Sequence, residues 1–521
     1  MHRITALVSS LALLAGLFVY APQSVRAAYT YYIGPGGGSG ECASPDYTTD
    51  GSADEVQFNS AVTFIEGDID NILYVCPDTY DIDTWITVNG PLTIASVSGA
   101  ANTILDATDN VQRIIGFYDD AVVIGLTFQN ADVNWEGAAI WAGSALTVRD
   151  SIFLNNHSIN EGGAIDFSGD EEAVVTGSTF IGNSALQGGA INVNWDLDLV
   201  ADSTFTDNEA TSGYGGALYV HWDLYIVGDS EFTGNSASQG GAIHVNTDLD
   251  LVADSTFTDN EATAGYGGAI FADDLDLIES SLFSKNSTSN GGGAVFVDDD
   301  VEDFNDNGAA GLISNIFEGN EALDGGAVQI DDEFSVDAVI TRNTFLNNVG
   351  DDGGAIDFDD LVGGTISSNK FIGNYATGDG GAIDADDIVS STVITGNLFS
   401  RNTSEDDGGA MWLDDSTGDG AELAVINGNT FRGNRATGDG GGIYMSFTDS
   451  DFVPTYVTRN SFRSNRAGGV GGGIAIMGLA GCAPELTTRQ AARAFKKNKY
   501  TSNRATGSRR TANVGAVPCV D

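Results

Sequence analysis

Apolar and polar residues alternate in short runs along most of this chain, and each run ends at a turn signal. One stretch reads Ala190-Ile191-Asn192-Val193, a turn at Asn194-Trp195-Asp196, Leu197-Asp198-Leu199, Ser203-Thr204-Phe205, and a second turn closing at Asn208. The alternation of Ile191 with Val193, and of Leu197 with Leu199, is the period-two pattern of strands with one buried face. The unit recurs. Phe-x-x-Asn is anchored at Phe153, Phe180, Phe205, Phe232, Phe257, Phe283, Phe317, Phe345, Phe371, Phe399, Phe431 and Phe462, 25 to 34 residues apart, and Gly-Gly with a small and an aliphatic residue follows each. A period of that length predicts a solenoid, in which each coil buries its apolar face against the next. Three short strands per coil predict an all-β fold, a single right-handed parallel β-helix, with the hand set by the chirality of parallel crossovers.

Each repeated residue then has a structural task. The Phe side chains stack into an apolar column. The Asn sits at a corner and hydrogen-bonds its counterparts above and below. Gly-Gly permits a sharp corner with positive φ. Residues 193–218 and 245–270 nearly coincide, which marks a duplicated two-coil unit. Ahead of the array, Asp54 to Phe64 carries apolar residues at Val56, Ala61 and Phe64, followed by Ile65, and predicts a short helix covering the open N-terminal end. Behind it, Leu486 to Asn498 predicts a short basic helix, and Tyr500-Thr-Ser-Asn503 a last, altered coil. The expected organisation is a signal peptide over 1–27, an N-terminal cap with first coils over 28–130, regular repeats over 131–478 and a C-terminal cap over 479–521.

Composition changes the picture in three ways. First, His2 and Arg3, the apolar stretch Ala6 to Ala21, and Val25-Arg26-Ala27 read as a cleaved secretory signal, so the mature chain is expected to be secreted or at the cell surface. No later apolar run reaches the ~20 residues of a membrane helix. Second, four cysteines lie towards the ends. An exported chain permits disulfides, the simplest pairing being Cys42 with Cys76 and Cys482 with Cys519. Third, the formal charge is −53. So acidic a surface disfavours nucleic acid and anionic membranes, and it needs cations to screen it. Eight of the 21 basic residues fall between Arg489 and Arg510. That segment is a cap offsetting the acidic array, or a dock for an anionic polymer or another copy of the chain.

Aligning coils on Gly-Gly exposes columns. Asp-Asp recurs at one offset, as Asp273-Asp274, Asp298-Asp299, Asp331-Asp332, Asp359-Asp360, Asp386-Asp387 and Asp414-Asp415, and Asp324, Asp352, Asp379, Asp407 and Asp439 each precede Gly-Gly. Coils ~4.8 Å apart place like charges close enough to repel by roughly 1 kcal/mol per pair even in water. Such a ladder either binds Ca²⁺, a hard cation suited to carboxylates, or is a repeated turn residue on a salt-tolerant surface. One outward strand position reads Trp141, Asp166, Asn192, Tyr219, His244, Phe271, Phe296, Gln329, Asp357, Asp384, Trp412 and Tyr444, with Trp195 and Trp222 at the adjoining turn. Its rings predict a flat strip that recognises a polysaccharide or a cell-surface protein, the alternative being aromatic stacking as scaffold.

Gly162 to Ile165 paired with Phe180 to Asn183 resembles the polymorphic outer membrane protein repeats of chlamydial surface proteins. Cys76-Pro-Asp-Thr-Tyr80 and Val123-Ile-Gly-Leu-Thr-Phe128 look like the first coils of the wider pectin-lyase-like β-helix superfamily. The resemblance implies a right-handed β-helix and an exported, adhesin-like protein. Chlamydial members end in a membrane β-barrel, and attachment by that route is not expected after Asn503. The superfamily includes polysaccharide lyases and hydrolases. Asn246-Thr247-Asp248 matches the first polygalacturonase motif, yet Gly-His-Gly and Arg-Ile-Lys are absent. Nothing marks Arg149 or Arg342 as paired with a site, and His157, His221 and His244 have no triad company. The expectation therefore leans against an enzyme, with a polysaccharide lyase or glycoside hydrolase on the strip face as the alternative.

Overall fold

A computed structural model of the chain describes residues 29–36, 40–49, 54–65, 67, 69–108, 112–301, 310–386, 388, 392–414, 424–446, 456–477, 495–506 and 513–516. They form a right-handed parallel β-solenoid of about 14 turns. Its strands stack into sheets of 31, 16, 7 and 6 strands. Each coil contributes four short segments rather than three. In one coil these are Ile191–Val193, Leu199–Ala201, Thr204–Thr206 and Glu209–Ala210. The first two join the largest sheet, the Phe-bearing third forms the second sheet, and the two-residue fourth makes the smallest ones.

The inward positions follow the alternation with one correction. Ile191, Val193, Leu197 and Phe205 are buried, but Val200 rather than Leu199 fills the core. Two residues separate Leu197 from Val200, so side-chain parity switches inside the turn region. Because strand period is two, that slip exchanges the faces of everything after it. The duplicated coil has Leu249 and Val252 buried in the same way, and a register shift between Val245 and Asp248 just ahead of them.

The Phe column is continuous. Successive rings from Phe153 to Phe462 stack at 4.6–4.9 Å with interplanar angles of 2–10°. Parallel strand spacing of ~4.8 Å dictates that distance. Beside it runs the asparagine ladder. Asn183 Nδ2 donates to Asn208 Oδ1 at 3.0 Å and to the Phe153 carbonyl at 3.1 Å, while its backbone N–H donates to Asn208 Oδ1 at 3.1 Å. The pattern repeats down to Asn465 and Asn503. The buried side-chain amides of this ladder are thereby paired with one another. A second ladder escaped the sequence reading. Ser151, Ser178, Ser203, Ser230, Ser255 and Ser281 form its first half, and Asn315, Asn343, Asn369, Asn397, Asn429 and Asn460 continue it. The Gly-Gly corner is obligatory: Gly188 has φ +56°, and a Cβ on Gly189 would lie 2.2 Å from the Gly216 carbonyl oxygen.

The N-terminal helix, α1, spans Glu55–Ile65 and buries Phe58, Ala61, Val62 and Ile65. Phe58 meets Tyr80 edge-on at 5.3 Å, so the helix closes the end of the core. Val56 and Phe64, expected on its buried face, are exposed. Cys42 and Cys76 form a disulfide, whereas Cys482 and Cys519 lie outside the described residues. Most of the expected basic helix also lies outside them. The altered last coil is present: Lys499–Thr501 pairs with Ser461–Arg463, and Tyr500 stacks on Phe462 at 5.2 Å. Among the described residues no helix is long and apolar enough to cross a membrane.

Candidate functional site

The outward strand column is in register as aligned, from Trp141 paired with Asp166 through Asn192, Tyr219, His244, Phe271, Phe296 and Gln329 to Asp357 and Asp384. Trp412 pairs with Tyr444 further on. It is not an open strip. Tyr219, His244, Phe271, Phe296 and Tyr444 are buried, and Trp141 and Trp412 are half-buried. The segment before each Gly-Gly folds over the column: Tyr214 stacks on His244 at 4.6 Å, and Tyr266 packs on Phe296 at 4.3 Å. Burial holds the His244 imidazole neutral, pushing its pKa down to about 3. Of the rings singled out in the sequence, only Trp195 and Trp222 reach solvent broadly, 45% and 51% exposed, stacked on each other at 5.9 Å.

At the N-terminal end of this face the chain gathers a mixed polar and aromatic site. Arg113 is buried beneath it, donating from Nε to the Gly137 carbonyl at 2.9 Å and from Nη2 to the Glu136 carbonyl. Its guanidinium lies 5.3 Å from the Trp85 ring and 5.7 Å from the Trp141 ring, within cation–π range. Tyr118 packs on Trp141 at 4.9 Å, and both Tyr118 and Trp85 are exposed. Burial lowers the Arg113 pKa to about 10, against the pull of Asp166 and Glu136, so it stays cationic near neutrality.

Asp166 sits beside it, fully buried. Ser168 Oγ donates to Asp166 Oδ2 at 2.6 Å, Trp141 Nε1 donates to that Ser168 oxygen at 3.1 Å, and Asn192 Nδ2 donates to Asp166 Oδ1 at 2.7 Å. Burial raises its pKa to about 6, Ser168 and Asn192 oppose the rise, and Glu161 and Glu136 add to it. Asn192 also reaches Glu161 Oε2 at 3.4 Å, and its own Oδ1 has no hydrogen-bond partner. Glu136 and Glu161 each precede a Gly-Gly-type corner on adjacent coils, linked by the Gly137 N–H donating to the Glu161 carbonyl at 2.9 Å. Burial first, then Glu136, raises the Glu161 pKa. A half-buried carboxyl with a raised pKa, one coil (~4.8 Å) from a second acid, suits a proton donor to a leaving oxygen, with the second acid serving the opposite side of the bond.

Sequence reasoning placed Asp166, Asn192 and Trp141 in the column but missed Arg113, Glu136 and Glu161. The signal was there: Arg113 is the only basic residue between Arg26 and Arg149. Asn246-Thr247-Asp248 does not join this site; Asp248 pairs across to Asp274.

The acidic columns lie further along. Several aspartates of the pairs follow the ladder: the first ones Asp298, Asp386 and Asp414 donate their N–H to Ala272 O, Phe358 O and Ala385 O, and the second one Asp299 donates to Asp273 O. One coil departs from it, where Asp360 pairs with Glu333 after a register shift past Asp331 and Asp332. Asp387 and Asp415 lie outside the described residues. Asp352, Asp379 and Asp407 each accept the next coil's backbone N–H on one oxygen, at 2.7, 2.7 and 2.5 Å. Partial burial, reinforced by neighbouring carboxylates, raises Asp273 and Asp379 to about 7 and Asp324 and Asp407 to about 6. Asp379, Asp406 and Asp407 bring ligand oxygens within 4.8 Å of one another, an acidic cluster able to coordinate a cation.

The Chlamydia polymorphic membrane protein repeat matches residues 229–246, 254–273, 280–298 and 430–446. The chain carries that repeat. It does so on a β-solenoid consistent with the pectin-lyase-like superfamily. No curated protein matches it in sequence. Among solved structures it is similar to the catalytic unit of a thermostable GH87 α-1,3-glucanase from Streptomyces thermodiastaticus, at 10% identity and a TM-score of 0.31 over 94% of this chain and 70% of that one. A PL6 family polysaccharide lyase from Pseudopedobacter saltans follows at 11% identity and a TM-score of 0.27 over 88% and 94%, and a PL6 family alginate lyase at 10% and 0.18 over 89% and 99%. These neighbours correct the expectation that leaned against an enzyme. All three are carbohydrate-active enzymes by name. They assign no activity or substrate to this chain.

Proposed function

We propose that this is an exported, polysaccharide-acting β-helix protein that cleaves glycosidic bonds at the Arg113–Glu136–Glu161 site. The carrying observation is the pair of acids on adjacent coils over the buried Asp166–Asn192–Arg113 network, beside the exposed Trp85 and Tyr118 rings. Glu161 is the proton donor, because burial and Glu136 keep its carboxyl protonated to higher pH. Glu136 is the second carboxylate of the hydrolytic pair. Asp166 and Asn192 are positioning residues: Asp166 has no exposed surface, and Asn192 links it to Glu161. Trp85, Tyr118 and Trp141 form the platform for sugar rings. The Cys42–Cys76 disulfide supports export to an oxidising compartment. The aspartate-rich coils add a cation-holding flank, with Ca²⁺ the ion their all-oxygen ligands favour.

The test is a screen of neutral and uronate-containing polysaccharides, read for new reducing ends and for unsaturated ends. New reducing ends without unsaturation, lost in Glu161→Gln, is the expected result. Unsaturated products would replace hydrolysis by elimination. Saturable binding with no turnover on any polysaccharide would overturn the cleavage reading.

A further inference from the structure

Two neighbouring columns on another face of the solenoid change sign about the same coil. The two-residue segment after each corner asparagine presents one outward residue per coil, and these pair in unbroken register from Glu261 to Arg504. In that column Glu321 lies two coils before Tyr375 and Arg435 two coils after it, while Glu261 lies four before and Arg504 four after. The last outward residue of each Phe strand forms the second column. There Glu318 lies two coils before Ile372 and Arg432 two coils after it. Ile372 and Tyr375 belong to one coil, so both columns invert about it. Glu261, Glu318, Glu321, Arg432, Arg435 and Arg504 are all exposed. Between the charged ends, Leu346, Val349, Ile372 and Tyr375 are half-buried. The chain has only 21 basic residues against 74 acidic ones, so arginines stacked coil on coil at ~4.8 Å do not follow from composition.

An anionic polymer lying along either column would be attracted at the arginine end and repelled at the glutamate end. A second copy turned end for end meets the reverse order. A two-fold axis in the plane of this face, along the Ile372 strand, keeps each column opposite itself and reverses the order of coils. Arg435 then faces the partner's Glu321, Arg432 the partner's Glu318 and Arg504 the partner's Glu261, each pair occurring twice by symmetry around the apolar centre. We propose that this face is a self-complementary surface on which two copies of the chain dock side by side and antiparallel. Like charges oppose each other at Lys370, which meets its own counterpart on the axis coil, and where Asp351 comes opposite the partner's Glu405. They limit the affinity and leave it dependent on salt. The charge of −53 on each copy opposes association at a distance, but at about 0.15 M salt the Debye length of ~8 Å leaves chiefly the contacts to act. The surface is separate from Arg113, Glu136 and Glu161, so it does not depend on the cleavage reading.

Sedimentation of the full chain over a concentration series at about 0.15 M salt tests the surface. Wild type should show a monomer–dimer equilibrium, weakened about tenfold or more at ~1 M salt, where the Debye length is ~3 Å. Arg432→Glu/Arg435→Glu leaves acids on both sides of the axis, and Glu318→Arg/Glu321→Arg leaves bases there. Each variant alone should weaken the dimer about 100-fold or more, because like charges then face each other. Mixed one to one, the two variants should pair as a heterodimer at about wild-type strength. The replaced side chains are exposed, so each variant should melt as wild type does. A wild type that stays monomeric, a dimer that survives both charge reversals, or two variants that stay monomeric when mixed would each overturn the surface. So would polygalacturonate held by the arginine end of a monomeric chain, which would reassign that end to an anionic polymer.

Discussion

Asp166 and the pair Asp357 and Asp384 hold the same position in the repeat, and all three are buried. Their surroundings are opposite. Asp166 accepts hydrogen bonds from Ser168 and Asn192 and lies near the Arg113 guanidinium. The charged groups near Asp357 and Asp384 are other carboxylates, with Gln329 the ladder partner of Asp357. The scaffold is indifferent to this difference, because the column points away from the Phe and Asn ladders that hold the coils together. The repeat therefore sets positions and leaves chemistry free. One end of the face became a hydrogen-bonded polar network with a mix of charges, the other a cluster of carboxylates of one sign.

The sharpest way to break that contrast is Glu161→Gln, expected to lower turnover by about 10²–10⁴-fold, while Asp384→Asn leaves it unchanged. If Asp384→Asn instead abolished cleavage, the two ends would exchange roles. Next in size, Asp166→Ala should destabilise the fold by about 3 kcal/mol, since it strips Asn192 of its partner and Arg113 of its counter-charge. Chemical denaturation measures it. The same experiment on Asp384→Asn in chelator should show a gain of about 1 kcal/mol, because a repulsive charge is removed. The opposite signs are the point.

pH separates the regions in another way. The raised Glu161 carboxyl must be protonated to act, so above its pKa turnover should fall about tenfold per pH unit. For stability, Asp166 titrates at about 6 in the folded chain against an ordinary 3.8. Between those values the folded state holds more protons than the unfolded one. The Asp166 contribution is therefore fully present below about 4, is lost as pH rises through about 6, and is flat beyond. A melting series in wild type and Asp166→Asn isolates it. The smallest effect belongs to the exposed Trp195 and Trp222 pair. Replacing both with Ala should weaken polysaccharide binding by about 1 kcal/mol and alter stability by at most about 0.5 kcal/mol, read by affinity electrophoresis and melting.

The repeat made the coils, the Phe column, the Asn ladder and the glycine corners legible, because each is a local signal recurring at one offset. The serine-to-asparagine ladder was equally periodic but went unread, since Ser is common enough in turns to carry no contrast. The column's membership was read correctly and its exposure was not. Whether Tyr219 or Phe271 meets water depends on how the segment holding Tyr214 or Tyr266 folds over it, and no spacing encodes that. The parity slip before Val200 likewise arises inside a turn, where alternation stops being a guide.

What the sequence by itself determined is the solenoid and its register, because parallel stacking at one repeat per coil copies a linear pattern into a column. What only the tertiary structure decided is which columns are covered and which residues meet across coils. Arg113, Glu136, Glu161, Asp166 and Asn192 come from successive turns and share no motif. Their electrostatics follow from burial, and burial belongs to neighbours in space.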